Sequence, residues 1–589
     1  MKRFWAALVG AVATGGMASG AQAAQTEVVE VPSPPPPVAV IPPAPPALAP
    51  ATPVAPQPAT AADYPTCDGY PVPNPKKKLK PGEKQPEHRA WGGLGPNYGI
   101  RVRSFGVQGS AACERTLADP MLVPEFRDRR LSLLRARALH ELAEKSDATA
   151  LATLDEFDTF HATYATPEAL AASRLGSDAL RAIALYRTKK TADAQKLLDS
   201  IVARRPFSPS VRRIASAIRL LFDTDRGNRI AQLREQASYN PLMLRLMLLI
   251  ALQTGDFENA ALYAEQISFD LPKNRGGWTL SGEEDRKYDE IEGRAAIRGA
   301  RAYALLAAGK TEQSAIELKG ARDEVAFAVE PPPPRPDGRK QPKRVEEDYR
   351  RRVAAGDKAT EALDDWSRAI ALRLRAGKMT MKTLADEPER PRGEALVVMS
   401  DLIAQLRADD PAEARAIDAT IDEIRRMQDL GITKMLQMGF GDLVKLLPRG
   451  EHAAAKPKMR DEGSNFWRTD MEGYRVMKGD DPQLVNLRMG SLSASPAMVE
   501  EAAMLVAADH VRGLGKDAFI IESALLVERT VTYGYYGYSA GSGTPQGFEY
   551  RLLIRPISLA AGEEPSRQWR AIKVADIRAA LAQKYPPAQ

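Results

Sequence analysis

The chain has 589 residues, 44% hydrophobic and 27% charged. That is too long for one hydrophobic core, so two or three domains are expected. Its 82 Lys and Arg stand against 76 Asp and Glu, a surplus too small to suggest nucleic-acid binding.

Residues 1–24 read as a secretory signal peptide. Lys2 and Arg3 precede an apolar run over 4–12, and small residues follow to Ala21-Gln22-Ala23, an A-x-A cleavage pattern. The run is too short to span a bilayer, and no later stretch reaches about 18 apolar residues. No cysteine stands near the cut to accept a lipid. An exported chain with no transmembrane segment is expected, in the periplasm rather than the medium. Residues 25–63 form a Pro/Ala-rich linker. Within it, 31–58 carry almost no charge and favour an extended polyproline spacer, which at ~3.1 Å per residue reaches on the order of 80 Å.

Residues 64–118 look like a small loop-rich module, with a short strand or two over 98–107. Cys67 and Cys113 are the only cysteines of the chain. In an oxidising compartment they form a disulfide, worth about 4 kcal/mol for a loop of this length in the chain-entropy model. Two unpaired thiols are the alternative. A metal site would have only His88 beside them, an incomplete ligand set.

From 119 to 448 the pattern is helical. Leu131, Leu134, Ala138 and Leu142 share one face. His140-Glu141-Leu142-Ala143-Glu144 has half of a zinc-protease motif, with Glu144 where the second histidine belongs, and reads as a solvated helix face. Over 182–272 the chain twice spells a helical pair ending in proline: Ala194, Leu198, Ile201 and Pro206, then Ala260, Ala264, Ile267 and Pro272, with Gly255 five residues before Ala260. A small residue followed by apolar ones at plus four and plus seven draws one stripe on a helix, and the proline stops it. Similar hairpins are expected around turns at Gly309-Lys310, after Ala302, Leu305 and Leu306, and at Gly377-Lys378, after Trp366, Ile370 and Leu374. Pro411 opens a further helix through Ala414, Ile417, Ile421 and Ile424. Between hairpins, Pro331 to Pro334 run into the basic stretch 335–352, read as an exposed loop whose functional alternative is a docking patch for an acidic partner.

The hairpins at 175–206 and 242–272 resemble tetratricopeptide repeats, with weaker echoes at 295–326 and 363–388. The small and aromatic first-helix positions of that family hold Ala182 and Leu185 in one copy and Leu248 and Ala251 in the other. Trp366 falls at the family's tryptophan position, and Lys382 at the small-residue position of that copy. The resemblance implies a mainly α, TPR-like solenoid whose concave face binds peptides or other proteins.

After residue 449 a C-terminal α/β module is expected. Ser495-Pro496 caps a helix whose Val499, Ala503, Val506 and His510 share a face, His510 lying in its last turn. Leu525, Val527, Val531, Tyr533 and Tyr535 alternate with polar residues, as do Phe548, Tyr550, Leu552 and Ile554. This predicts a β-hairpin around the Gly/Ser-rich loop 537–547. A short strand over 569–574 and a helix over 575–584 close the chain.

Glu522-Ser523, with Ser539-Ala540-Gly541 downstream, is similar to elements of periplasmic lytic transglycosylases. That resemblance implies Glu522 as general acid, and such an acid needs a buried carboxyl held on a helix. The β spacing around Glu522 argues against it. No nucleophile elbow, phosphate loop, dinucleotide fingerprint or zinc spacing is present. The expectation is a non-catalytic envelope scaffold without cofactor or metal, binding envelope proteins or peptides and able to self-associate, with the peptidoglycan-cleaving enzyme as the alternative.

Overall fold

The computed structural model describes residues 58–74, 102, 104–165, 167–222, 226–269, 282–337, 339–409, 411–436, 456–461, 472–478, 481–492, 494–531 and 544–586. The signal sequence, most of the proline linker, Pro272, Tyr533, Tyr535 and loop residues 537–543 lie outside them. The protein is mainly helical, with a small antiparallel sheet towards its C-terminal end. Among the described residues no helix is long and apolar enough to cross a membrane.

Helix α1 (Asp63–Cys67) is clipped to α2 (Val107–Leu117) by the disulfide Cys67–Cys113, with Cα atoms 4.8 Å apart. Of the stretch 98–107, where a short strand or two is expected, residues 98–101 and 103 lie outside the described residues; 104–106 are irregular, and Val107 opens α2. This clip sits on α3 (Arg127–Ala143). Arg129, fully buried, bonds Asp68 at 2.9 Å and the carbonyls of Tyr70 and Pro71 at 3.1 and 3.2 Å. Burial pushes the Asp68 carboxyl up to about 6, against the pull of Arg129.

His140 and Glu141 were expected on a solvated face, and the structure corrects this: they are 0% and 2% exposed. The amide of Gly106 donates to His140 Nδ1 at 3.1 Å, so Nε2 carries the proton towards the Cys67 carbonyl at 3.0 Å. Gly109 leaves room for the ring, since a Cβ there would sit 1.9 Å from Cε1. The second covered face of α3 exists because the clip folds back on it, which the apolar spacing of one helix does not reveal.

The helices then run α4 (Asp147–Ala162), α5 (Pro167–Arg187), α6 (Thr191–Arg204), α7 (Pro209–Phe222), α8 (Arg226–Tyr239), α9 (Met243–Thr254), α10 (Phe257–Gln266), α11 (Gly282–Ala307), α12 (Thr311–Ala328), α13 (Lys343–Ala376), α14 (Met381–Ala385), α15 (Met399–Ala404) and α16 (Pro411–Leu436). Four hairpins share one turn, entered through a left-handed residue: Lys145 (φ 63°), Lys189 (62°), Gly255 (73°) and Gly309 (80°). In each, the next amide reaches the carbonyl five residues back: Ser146 to Glu141, Lys190 to Leu185, Asp256 to Ala251 and Lys310 to Leu305, at 2.8–2.9 Å. The left-handed residue itself bonds three back, completing a Schellman motif.

Five residues beyond each left-handed residue stands a small buried one: Ala150, Ala194, Ala260 and Ser314. At these points the paired helices come close, and Ser314 Oγ bonds the Ala302 carbonyl across its hairpin at 2.6 Å. Leu154, Leu198 and Ala264 follow at plus four, and Phe157 and Ile201 at plus seven, all buried. The pairs α5/α6 and α9/α10 cover the two helical pairs read from the sequence, and α3/α4 has the same turn, entered through Lys145. Trp366 of α13 is core, against Gly299, where a Cβ would lie 2.3 Å from Trp366 Cδ1.

The sheet comprises β1 (Gly473–Lys478), β2 (Val485–Ser491), β3 (Ala518–Val531), β4 (Thr544–Ile557) and β5 (Ile572–Lys573), all neighbours antiparallel in the order β1-β2-β4-β3-β5. The expected β-hairpin is β3–β4, with Ala524 opposite Leu552 and Leu526 opposite Tyr550. One face packs on α17 (Pro496–Gly513) and α18 (Val574–Leu581), through Leu487, Met489, Ile521 and Ile554 against Val499 and Ala503. Ser495 caps α17 by accepting from the Met498 amide at 3.3 Å.

The hairpin turns yield a prediction. A side-chain-bearing residue in the left-handed region costs roughly 1–2 kcal/mol that glycine does not. Lys189→Gly is expected to stabilise the protein by about 1 kcal/mol, and Gly255→Ala to destabilise it by a similar amount. Thermal unfolding of both variants checks this; shifts of the same sign would contradict it.

Candidate functional site

Two features gather the most chemistry: a joint between the helical hairpins and the C-terminal sheet, and a charged cleft beside it.

The joint begins with Ser208-Pro209. Ser208 Oγ accepts from the Val211 amide at 3.3 Å, and Pro209 opens α7, so this N-terminus presents unpaired amides. Glu500 of α17, 1% exposed, fills it. Its Oε2 accepts from Ser208 Oγ at 2.5 Å and from the Ser210 amide at 3.0 Å, and its Oε1 accepts from Ser210 Oγ. A carboxylate suits the positive end of a helix. Burial nevertheless raises the Glu500 carboxyl, with the two hydroxyls and the amide opposing. The Tyr550 phenol is raised well above its usual value, by its burial and then by Glu500.

Glu501 is one step round α17 and reaches other partners. Its Oε2 accepts from Arg205 Nη1 at 2.7 Å, Lys584 Nζ at 2.7 Å and Tyr585 Oη at 2.8 Å. Arg570, fully buried, donates through Nε to the Ala237 carbonyl in the last turn of α8 at 3.2 Å and through Nη2 to the Ile521 carbonyl at 2.5 Å. Gln266 Nε2 bonds the Ser566 carbonyl at 2.7 Å, and Trp569 packs its ring 6.1 Å from Tyr263. Across the joint Glu500 thus meets the start of α7 and Arg570 the end of α8.

Glu522 lies on strand β3, not on the helix that the transglycosylase resemblance calls for. A register shift between Ile521 and Ser523 turns it out of the ladder. It is 3% exposed, and its Oε1 accepts from Arg555 Nε at 2.9 Å and Arg567 Nη1 at 2.8 Å. Residues 539–543, its proposed companions, lie outside the described residues. His510 sits in the last turn of α17, and burial lowers its pKa, which favours the neutral ring there. Among the described residues no group of three or more His, Cys, Asp or Glu is placed to hold a metal.

The cleft, about 220 Å³, lies between the end of α10 and the helices α11 and α12. Arg294, Arg298 and Arg301 line one face of α11 at helical spacing. Arg298 bonds Glu317 at 2.7 Å and Glu324 at 2.8 Å, and Arg301 bonds Glu265 at 3.0 Å and Glu317 at 3.2 Å. Arg294 covers the Phe269 ring at 5.4 Å. Such alternating charge on a helical groove can pair both the backbone and the side chains of an extended peptide. No sequence motif marked these arginines, whose meaning depends on the neighbouring helix that supplies the glutamates.

No protein-family model, curated protein or solved structure matches the chain.

The raised Glu500 carboxyl sets a pH dependence. Its folded value lies above its ordinary 4.5, so above that pH the folded protein holds a proton that the unfolded chain has released. The stability it contributes is greatest below pH 4.5 and declines as pH rises towards the folded value. Glu500→Gln should flatten that decline in the thermal midpoint. Glu500→Ala should cost about 1–3 kcal/mol, because the Ser210 amide and two hydroxyls lose their acceptor. Parallel pH slopes in wild type and Glu500→Gln would refute the assignment.

Proposed function

We propose that the protein is an exported, non-catalytic interaction scaffold of the cell envelope. In this reading a signal peptide (1–24) and a linker (25–63) precede the disulfide-clipped segment (64–118). A TPR-like solenoid (119–448) follows, and an α/β module (449–589) is docked against it. The observation that carries the reading is the recurrence of one hairpin, with the same turn hydrogen bonds and the same small buried residue five positions on, in α3/α4, α5/α6, α9/α10 and α11/α12. A hairpin of this kind exposes its stripe unless neighbours stack on it, and stacked hairpins present a groove for a partner. The cleft over Arg294, Arg298 and Arg301 supports this. The disulfide fits export to an oxidising compartment.

Cross-linking of tagged full-length protein in intact cells tests the proposal. Reproducible links from residues 180–390 to one or two envelope proteins are expected, weakened by Arg298→Glu. Retention on peptidoglycan with no protein partner would overturn it, and activity lost in Glu522→Gln would then establish the enzyme.

A further inference from the structure

One side of α12 is taken up by its neighbours: Ser314 bonds α11, and Ala321 and Val325 pack among Ala295 of α11 and Ala359 and Leu363 of α13. The other side carries Ile316, Lys319, Asp323 and Phe327, three or four residues apart and so on one stripe. Ile316 is 65% and Phe327 74% exposed, and Ala315 and Ala326 beside them are exposed as well. Single apolar residues are ordinary on a surface, but a stripe apolar at both ends is a patch of the kind that marks an interface. Between those ends Lys319 Nζ bonds Asp323 at 2.8 Å, with both side chains largely in water, where such a pair holds weakly. Alongside, Arg322 bonds Asp364 and Ser367 of α13 at 2.8 and 3.0 Å. Leu374, seven residues beyond Ser367 and mostly exposed, stands on that same flank of α13.

The stripe reads alike in both directions. From Ala321 outwards, each direction meets a charge after two residues and an apolar pair after five and six: Lys319, then Ile316 and Ala315; Asp323, then Ala326 and Phe327. A second copy laid antiparallel across it sets Lys319 opposite Asp323 twice and Ile316 opposite Phe327 twice. That is the self-complementarity a two-fold interface requires. In a parallel pairing, or against a partner of one sign of charge, Lys319 or Asp323 would meet its own sign. The same rotation brings Glu312 towards Glu330 at the two ends, and each has a cation beside it. Lys310 stands two residues before Glu312, and Arg352 Nη1 donates to the Glu330 carbonyl at 3.3 Å.

We propose that the outward stripe of α12 is a homodimer interface, in which two copies cross antiparallel about a two-fold axis near Ala321. Lys319 and Asp323 of each helix pair with Asp323 and Lys319 of the other, which fixes the register, while Ile316 and Phe327 leave water. Leu374 adds apolar area at both ends. One helix face is small beside the roughly 800 Å² that each partner buries in a standard interface, so the association is reversible. Neither this stripe nor Leu374 includes a residue of the cleft over Arg294, Arg298 and Arg301, and the proposal stands independently of the scaffold reading.

Sedimentation of the purified full-length protein over a micromolar concentration series tests this, and a monomer–dimer equilibrium is expected. Phe327→Asp should raise the dissociation constant about tenfold or more, and Ile316→Asp likewise. Both side chains are exposed, so the circular dichroism of either variant should match wild type. Lys319→Glu and Asp323→Lys should each weaken the dimer. An equimolar mixture of those two variants should restore it, because each supplies the charges that the other lacks. Under mild oxidation, Ile316→Cys mixed with Phe327→Cys should form a disulfide-linked dimer that neither forms alone, which reports the antiparallel crossing. A monomer at every concentration, a dimer indifferent to Phe327→Asp, or a mixture no tighter than its two components overturns the proposal. Flotation with phosphatidylglycerol vesicles that is lost in Phe327→Asp, in a protein that stays monomeric, also overturns it and assigns the stripe to a lipid surface.

Discussion

Two neighbouring carboxylates on α17, both withdrawn from water, tie the helical hairpins to the sheet. Glu500 substitutes for the missing hydrogen-bond partners at the start of α7, and Glu501 collects Arg205, Lys584 and Tyr585. Buried charge is costly unless its lone pairs are satisfied, so these contacts confer a single docking geometry more than they confer stability. Slippage of the sheet by one helical residue would leave an unpaired acid against a helix terminus. Arg570 enforces the same geometry from the other side, by joining the end of α8 to the backbone of β3.

The joint depends on the hairpins presenting their ends in register, and the repeated turn provides that. A left-handed residue followed by a back-bonded amide sets the angle between paired helices, and the small residue five positions on lets them approach. Glycine makes the turn at two places and lysine at two. The lysine turns accept backbone strain because the carbonyls they satisfy would otherwise end a helix unpaired. The hairpin cores therefore vary in sequence while their geometry is held by backbone hydrogen bonds.

At the other end, the disulfide acts with a polar network. Cys67 is bonded to Cys113, its carbonyl meets His140, and Asp68 next to it meets Arg129. The covalent link holds α1 against α2, and the buried arginine fixes the direction of the chain that leaves α1. A segment with so few apolar residues needs both, since area burial alone does not offset its chain entropy.

Local pattern made much of the fold legible. Alternation at 548–554 marked one arm of the hairpin, whereas on the other arm Leu525 and Val527, read as the apolar face, lie opposite Arg551 and Glu549, and Ala524 and Leu526 take the core side. Ser495-Pro496 marked the start of α17, Gly255 and Gly309 marked turns, and the spacing of Ala194, Leu198 and Ile201 marked a buried stripe. These are short-range properties: one residue's backbone preference, or the period of one helix or strand. The same reading placed His140 and Glu141 in water and found no meaning in Glu500, Glu501 or Arg570. The turns at Lys145 and Lys189 also escaped it, because lysine carries no left-handed signal. A charged side chain looks like surface unless its partner is visible, and Ser208 is 292 residues from Glu500, Ala237 333 from Arg570. The sequence alone determined where helices, strands and turns form, because those depend on neighbours along the chain. Only the tertiary structure decided which charges are buried and what they hold, because their energy depends on groups that folding brings together.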